Sequence, residues 1–471
     1  MKRTFLIFSV ALVTFSACRK IQVDDNGSNN GGGTVITPES TILSGTIGTD
    51  LTLRTGKTYT LRGIVYVANG AQLTIEPGVT ILGDKASRGT LVITRGSRIN
   101  AAGTADKPIV FTSSESGGAA RAGDWGGLVI LGRAKTNAVF NGQAGLGEAE
   151  GGINNGDGYG LFGGTDDNDN SGTLKYVRIE YAGYAFLPDK ELNGLAFYAV
   201  GKGTTVSHVQ VAWAADDSFE WFGGTVNADH IIAYKGLDDD FDTDNGFSGK
   251  VQFAIAVRDS SVADISGSNG FESDNDAAGS TLAPQTSAVF ANVTSIGPKQ
   301  NVTSIGNTFY RNAAQIRRNS SLSVINSVFL GWNNGLLIDA STGRPTDLNI
   351  SGATPTLWWR GNVISGVPSA SNQVKYSAST SQATGWTAAD ALAWHNTAAF
   401  NNTLLATNDA VGYAAAFNYS NPDLTPAANS PLLSNAYSYT DARLSGLQPV
   451  TYRGAVGPND TWYKGWTRYG N

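Results

Sequence analysis

From about residue 41 to 370 the chain alternates short runs of period-two hydrophobicity with turns rich in Gly, Asn and Asp. The runs include TYTLRGIVYV (58–67), TLVITRGSRI (90–99), GGLVILGRA (126–134), TLKYVRIEYAG (173–183), TVSHVQVAWA (205–214), VQFAIAVRD (251–259) and SAVFANVTSIG (287–297). Each puts Val, Ile, Thr and aromatic residues at alternate positions, as a strand with one buried face requires. No amphipathic segment of helix length separates them, which argues against βαβ units. The pattern also repeats: 205–227 aligns with 228–250, and 251–275 follows with a small insertion. A strand recurring every ~20–30 residues predicts a solenoid, whose coils bury a shared core by stacking ~4.8 Å apart. The predicted fold is all-β, a single-stranded right-handed parallel β-helix over 41–374. A β-propeller would need blades of ~40–50 residues and hairpin turns, and neither is seen.

Two stretches break the rhythm. Residues 138–172 form a Gly-rich, acidic loop insertion, a type of segment that often carries function. Residues 375–471 shift in composition and are expected to form a C-terminal cap over the open end of the solenoid. Within them TAADALAWHNTAAF (387–400) predicts a short helix with Thr387 as N-cap, and YKGWTRYG (463–470) is expected to pack aromatics at the end of the cap.

Composition agrees with this picture. Of 39 acidic residues 30 are Asp, a turn former, and Gly numbers 58 of 471 residues. The net charge is −6, without a Lys/Arg cluster of the kind that tracks phosphates, so nucleic acid is not an expected partner. Residues 1–17 read as an export signal: Lys2 and Arg3, a short apolar run, then small residues before Cys18. Cys18, the only cysteine, stands where a lipobox places its lipid-bearing residue, and 18–40 reads as a flexible tether. A lipid there is expected to anchor the chain to a membrane without spanning it; an ordinary signal peptide with a chance cysteine is the alternative.

Several motifs carry a resemblance. LTIEPGVTI (73–81), GDWGGLVILG (123–132), DDSFEWFGG (216–224), DDDFDTDNGFSG (238–249), SNGFESDN (268–275), NSPLLSNA (429–436), YRGAVGP (452–458) and the closing W-x-x-GWT-x-Y (462–469) resemble secreted β-helix lipoproteins of Bacteroidota-type bacteria. The resemblance implies a pectate-lyase-like superfamily fold and an outer-membrane location. It implies no established activity.

Stacked coils turn repeats into columns. Aligned on the pattern x-Phe-acid-x-x, Leu195, Phe219, Phe241, Phe271 and Ile316 form an inward column. Ala196, Glu220, Asp242, Glu272 and Arg317 then face outward, because strand side chains alternate. Two residues on, the same face carries Phe222, Asp244, Asp274 and Asn319, and Asp240, Asp242 and Asp244 are expected to share it. Carboxylates ~5 Å apart repel by roughly 1–3 kcal/mol at intermediate effective dielectric, so such a column needs compensation. Arg317, a hard oxygen-seeking Ca²⁺ ion or protonation can each supply it, and a solvated acidic face with a structural Arg is the plain alternative. A second calcium candidate is Asp167-x-Asp169-x-Ser171-Gly172 in the insertion. It lacks the later bidentate Glu, Arg178 stands at that spacing, and Asx-turns explain it nearly as well. His208 and His230 occupy corresponding places in successive coils and are expected to stack on the wall without metal. The adjacent Trp358 and Trp359 cannot both point inward; the outward one either stacks on a sugar ring or packs in the cap.

Three functional readings follow: a non-catalytic binder of an extended polymer such as a polysaccharide, a calcium-dependent polysaccharide lyase or hydrolase, and a structural or adhesive surface protein. Arg317 is the only basic residue in the acidic column. A guanidinium stays protonated, so charge compensation is its expected role, which favours the binder.

Overall fold

A computed structural model describes residues 40–187, 190–301 and 307–470. The export signal, Cys18 and the tether up to residue 39 lie outside the described residues.

The period-two runs form strands, and 26 of them join one continuous sheet. Parallel pairing sorts them into three walls. Wall one climbs from 51–53 through 205–207, 227–229 and 250–252 to 359–360. Wall two climbs from 42–44 through 209–212 and 231–234 to 403–405. Wall three climbs from 45–47 through 195–198, 219–222, 241–244 and 271–273 to 374–378. The fold is the expected right-handed parallel β-helix.

The corner between walls one and two is made by one residue per coil. Tyr176, His208, His230, Phe253, Asn292 and Asn326 occupy it in successive coils, all left-handed with φ between 48° and 59°. That conformation costs L-residues roughly 1–2 kcal/mol each, and the ladders on both sides hold it in place. Register at this corner is strict: Ser207 pairs with Asp229 and Val209 with Ile231, so His208 stacks on His230 as expected.

Inside, alternation delivers one apolar column per inward position. Phe219, Phe241 and Phe271 stack with ring centroids 5.9 and 5.2 Å apart. Trp221, Trp332 and Trp359 are buried in the same core.

Outside, the walls are partly roofed, which period-two patterning does not announce. The insertion 138–172 lies on the outer face of wall three: Ala149, Ile153 and Phe162 pack on Tyr66, Tyr198 and Phe222. Tyr66 Oη donates to Ile153 O at 2.7 Å, and Phe162 meets Tyr198 at 5.0 Å.

The C-terminal region differs from the expected cap. Only its first part covers the end. The helix Ala388–His395, with the Thr387 capping box, sets Ala391 against the core, and wall two continues to Leu405. The remainder, 411–470, is a strap that runs back along the outside of the solenoid. Val411, Leu424, Tyr463 and Trp466 bury the outward apolar face of wall two, including Ile232, Tyr234, Ile255 and Val257. Outward amides hold its backbone. Gln210 bonds Arg468 through both its oxygen and its nitrogen, Gln252 does the same with Gln448, and Asn326 with Tyr437. YKGWTRYG (463–470) therefore packs on the side of the solenoid and not over its end. A two-residue period leaves an outward apolar residue looking like noise, and here those residues are the floor for the strap.

Candidate functional site

The acidic column does stack. Ala196, Glu220, Asp242 and Glu272 are in register on wall three. The next coil corrects the expected alignment. Gln315, not Arg317, is in register with Glu272, and Ile316 stacks on Ser273, not on Phe271. Arg317 thus stands beside Asp274, where Asn319 was expected, and its N–H bonds Ser273 O at 2.9 Å. It still reaches the column. Its guanidinium bonds the Glu272 carboxylate, and its Nε donates to Asp274 Oδ1 at 2.9 Å. Arg318 completes the pairing at Asp274 Oδ2, also 2.9 Å away.

The column is one side of a cleft of about 580 Å³. The loops that lead into wall three form its other side. They contribute Asp216 and Asp217 in one coil, Asp238 and Asp239 in the next, and Asp264 in the third, while Glu150 comes from the insertion and Glu191 from the preceding loop. The sequence signal was a doubled Asp standing two and three residues before the stacked Phe in DDSFEW and DDDFDT.

Three overlapping sets of carboxylates bring one oxygen from each member within 4.8 Å of the others: Asp216–Asp217–Asp238, Asp217–Glu220–Asp242 and Asp239–Asp242–Glu272. Asp217 and Asp242 each belong to two sets, so the seven groups form one connected string. Asp217, Glu220 and Asp239 are buried. Protein donors are scarce there. Asn193 Nδ2 bonds Glu220, the Asp239 N–H bonds Asp217 at 2.7 Å, and the Asn269 N–H bonds Asp239. The buried oxygens Asp238 Oδ1 and Asp242 Oδ1 receive no hydrogen bond from the described residues.

Electrostatics follow from this crowding. Burial first, then the neighbouring Asp242, raises the Glu220 carboxyl well above its ordinary range; Asp216, Asp217, Asp239 and Asp242 are raised in the same way. Burial pushes Asp238 up to about 6, and pushes Glu272 up to about 7 against the pull of Arg317. A site like this either keeps protons or takes up cations. Its donors are carboxylate oxygens throughout, the set that a hard ion such as Ca²⁺ selects.

Asp240 does not share this face with Asp242. Its carboxylate lies inside, fully buried, 2.9 Å from the equally buried guanidinium of Arg258. Asp240 precedes the strand that begins at Phe241, so strand alternation does not govern it. Asp244 is on the strand but outside the cleft, and its carboxylate accepts from the Asn245 N–H at 2.5 Å.

The expected calcium loop in the insertion is engaged otherwise. Asp167 pairs with Lys135 Nζ at 2.6 Å. Asp169 is buried and accepts from Ser171 Oγ at 3.3 Å, and burial raises its carboxyl. Gly172 joins wall one so closely that a Cβ would lie 1.9 Å from Ile99 O, with φ at +114°. The glycine serves the join between coils. Asp167 and Asp169 belong to no three-carboxylate group among the described residues.

The tryptophan pair splits as expected, yet offers no open platform. Trp359 is buried against Phe329 at 5.2 Å. Trp358 points out, half-buried, with the guanidinium of Arg360 3.7 Å and that of Arg443 4.5 Å from its ring centroid. Its neighbours Arg443 and Tyr437 belong to the strap, so the ring packs against the strap.

A family model described as a pectate-lyase like beta helix domain matches residues 45–409, a span that holds the three walls and the cleft and stops where the strap begins. Nothing matches among curated proteins or among solved structures.

Proposed function

Since the chain belongs to the pectate-lyase-like β-helix domain family, we propose that it is a polymer-binding protein whose acidic cleft holds Ca²⁺ and, through it, an extended polysaccharide, without cleaving it. One observation carries this reading: seven linked carboxylates face a cleft with too few protein donors to satisfy them. A bound divalent ion supplies the missing positive charge, and its remaining coordination positions accept oxygens of an acidic or hydroxyl-rich glycan. Arg317 offers no free base, since Glu272 and Asp274 hold its guanidinium charged and raise its pKa further after the cost of burial. A lipid on Cys18 tethers the solenoid to the outer membrane in the same proposal.

The test is calorimetric. Ca²⁺ titrated into the full chain should bind and should stabilise the fold by RT ln(1 + [L]/Kd), about 2.7 kcal/mol at a concentration a hundredfold above Kd, which raises the melting temperature. Asp242→Asn with Glu220→Gln should remove the effect. Retardation in gels cast with pectin or alginate should then need calcium. Calcium binding without retardation by any glycan would retain the metal site and sink the polymer. Cys18→Ala should release the protein from membranes of its own host; unchanged fractionation would remove the anchor from the proposal.

A second reading rests on Glu272. Its carboxyl, pushed up to about 7, lies close to that of Asp242, and two closely spaced carboxyls, one of them holding a proton as the acid, are what retaining hydrolysis of a glycoside uses. New reducing ends from a glycan, lost in Glu272→Gln, would select this reading. An unsaturated uronide product would select a lyase.

A further inference from the structure

The corner between walls one and two carries a second cluster, made of different atoms and away from the cleft on wall three. His208 and His230 stack there with centroids 4.5 Å apart and planes 12° from parallel. Asp229 Oδ1 lies 2.5 Å from His230 Nδ1 and accepts from Ser207 Oγ at 2.6 Å, and that hydroxyl is 2.8 Å from His208 Nδ1. One donor atom each from His208, Asp229 and His230 lies within 4.8 Å of the other two.

We propose that His208, His230 and Asp229 bind a borderline transition-metal ion of the Zn²⁺ or Cu²⁺ class. Such ions favour imidazole nitrogen with carboxylate oxygen, whereas the cleft offers oxygen alone. With bonds of about 2.0–2.1 Å, one ion spans donors up to about 4.2 Å apart, so the stacked rings must turn toward each other to close the site. The rings are already positioned by three constraints. Their left-handed backbones are fixed by ladders on both sides. The Ser207 hydroxyl, bonded to Asp229 Oδ1 and lying against His208 Nδ1, orients two of the ligands, as outer-shell partners do at histidine metal sites. From the strap, Trp462 stands edge-on to both, at 6.2 Å from His208 and 4.8 Å from His230. Access is by a groove of about 720 Å³ along wall one, lined by Asp229, His230, Lys250 and Gln252. These are the two histidines of successive coils; the third, His395, is buried at the far end as the last residue of the cap helix.

The decisive experiment uses the full chain in excess Ca²⁺, which occupies the acidic cleft if the cleft binds it. Zn²⁺ is titrated by calorimetry, and Cu²⁺ is read by electron paramagnetic resonance. One ion should bind per chain, with coupling to imidazole nitrogen, and Asp242→Asn should leave it in place. His208→Asn and His230→Asn are the variants of choice, because Asn already occupies the same left-handed corner at positions 292 and 326. Each should weaken binding at least about tenfold and reduce the nitrogen coupling from two imidazoles to one, and Asp229→Asn should weaken binding as well. Zn²⁺ binding that is absent, or unchanged in both histidine variants while their melting curves stay native, overturns the proposal.

Discussion

Arg317 bonds the Glu272 carboxylate diagonally, from the position after next to Gln315, the residue in register with Glu272. Charge compensation therefore enters the acidic string from one end and reaches two acids at once, Glu272 and Asp274. The other six members of the string, from Asp216 to Asp242, have no such partner among the described salt bridges.

Arg317→Ala should destabilise the calcium-free protein by about 3–5 kcal/mol, the usual cost of removing one partner from a largely buried pair. Chemical denaturation in chelator measures it. Calcium should recover part of the loss, because it compensates the same carboxylates. A loss within about 0.5 kcal/mol of zero would mean that the pairing is not needed.

Stability of the calcium-free protein should fall as pH rises from about 4.5 to about 7. The sign follows from the direction of the shifts. Asp238 goes from 3.8 to about 6 and Glu272 from 4.5 to about 7, so the folded state holds these protons more tightly than the unfolded state. Their contribution is complete below the unfolded values and is lost as pH passes through the folded ones. Melting temperatures at a series of pH values in chelator should show this slope, and saturating calcium should flatten or reverse it. A rise of stability over that window in chelator would contradict the assigned shifts.

The two tryptophans should separate cleanly. Trp359→Ala opens the core and should cost about 3–5 kcal/mol in urea denaturation. Trp358→Ala should leave any glycan retention unchanged, since arginines occupy its surroundings. Loss of retention in Trp358→Ala with native stability would restore the ring as a sugar platform.

Trp466→Ala should loosen the strap. Its ring packs on Tyr176 at 5.7 Å and on His208 at 5.9 Å, and its truncation should cost about 3–5 kcal/mol. A dye that binds apolar surface should respond before the sheet signal in circular dichroism is lost, because the floor under the strap is apolar. Coincident loss of both signals would tie strap and walls into one transition.

What the sequence revealed depended on which interactions were local. Period-two patterning named the walls, since each coil repeats TVSHV-like spacing and the core needs only alternation. The Thr387 cap is legible because a capping box spans only four residues, Thr387 to Asp390. The acid column was legible at Glu220, Asp242 and Glu272, which share a motif. One coil later Glu272 and Gln315 stand 43 positions apart, and no motif sets the register. Asp240 was misplaced because alternation was extended past the end of a strand to a residue that Arg258 holds inside. The strap was hidden for a deeper reason. Its contacts join residues hundreds of positions apart, and no local pattern encodes them.

Those contacts change how the molecule comes apart. A stack of coils in which each touches only its neighbours can unzip from an end, one coil at a time. Here Arg468 bonds Glu180 at 2.7 Å across 288 positions of sequence, and Gln210, Gln252 and Asn326 grip the strap in between. Fraying the last coils pulls on a ribbon that is fastened to the middle ones, so end-opening loses its low-energy route. The ribbon works as a buckle: it makes a linear array melt as a unit, and it must close last, after the coils that form its seat are stacked.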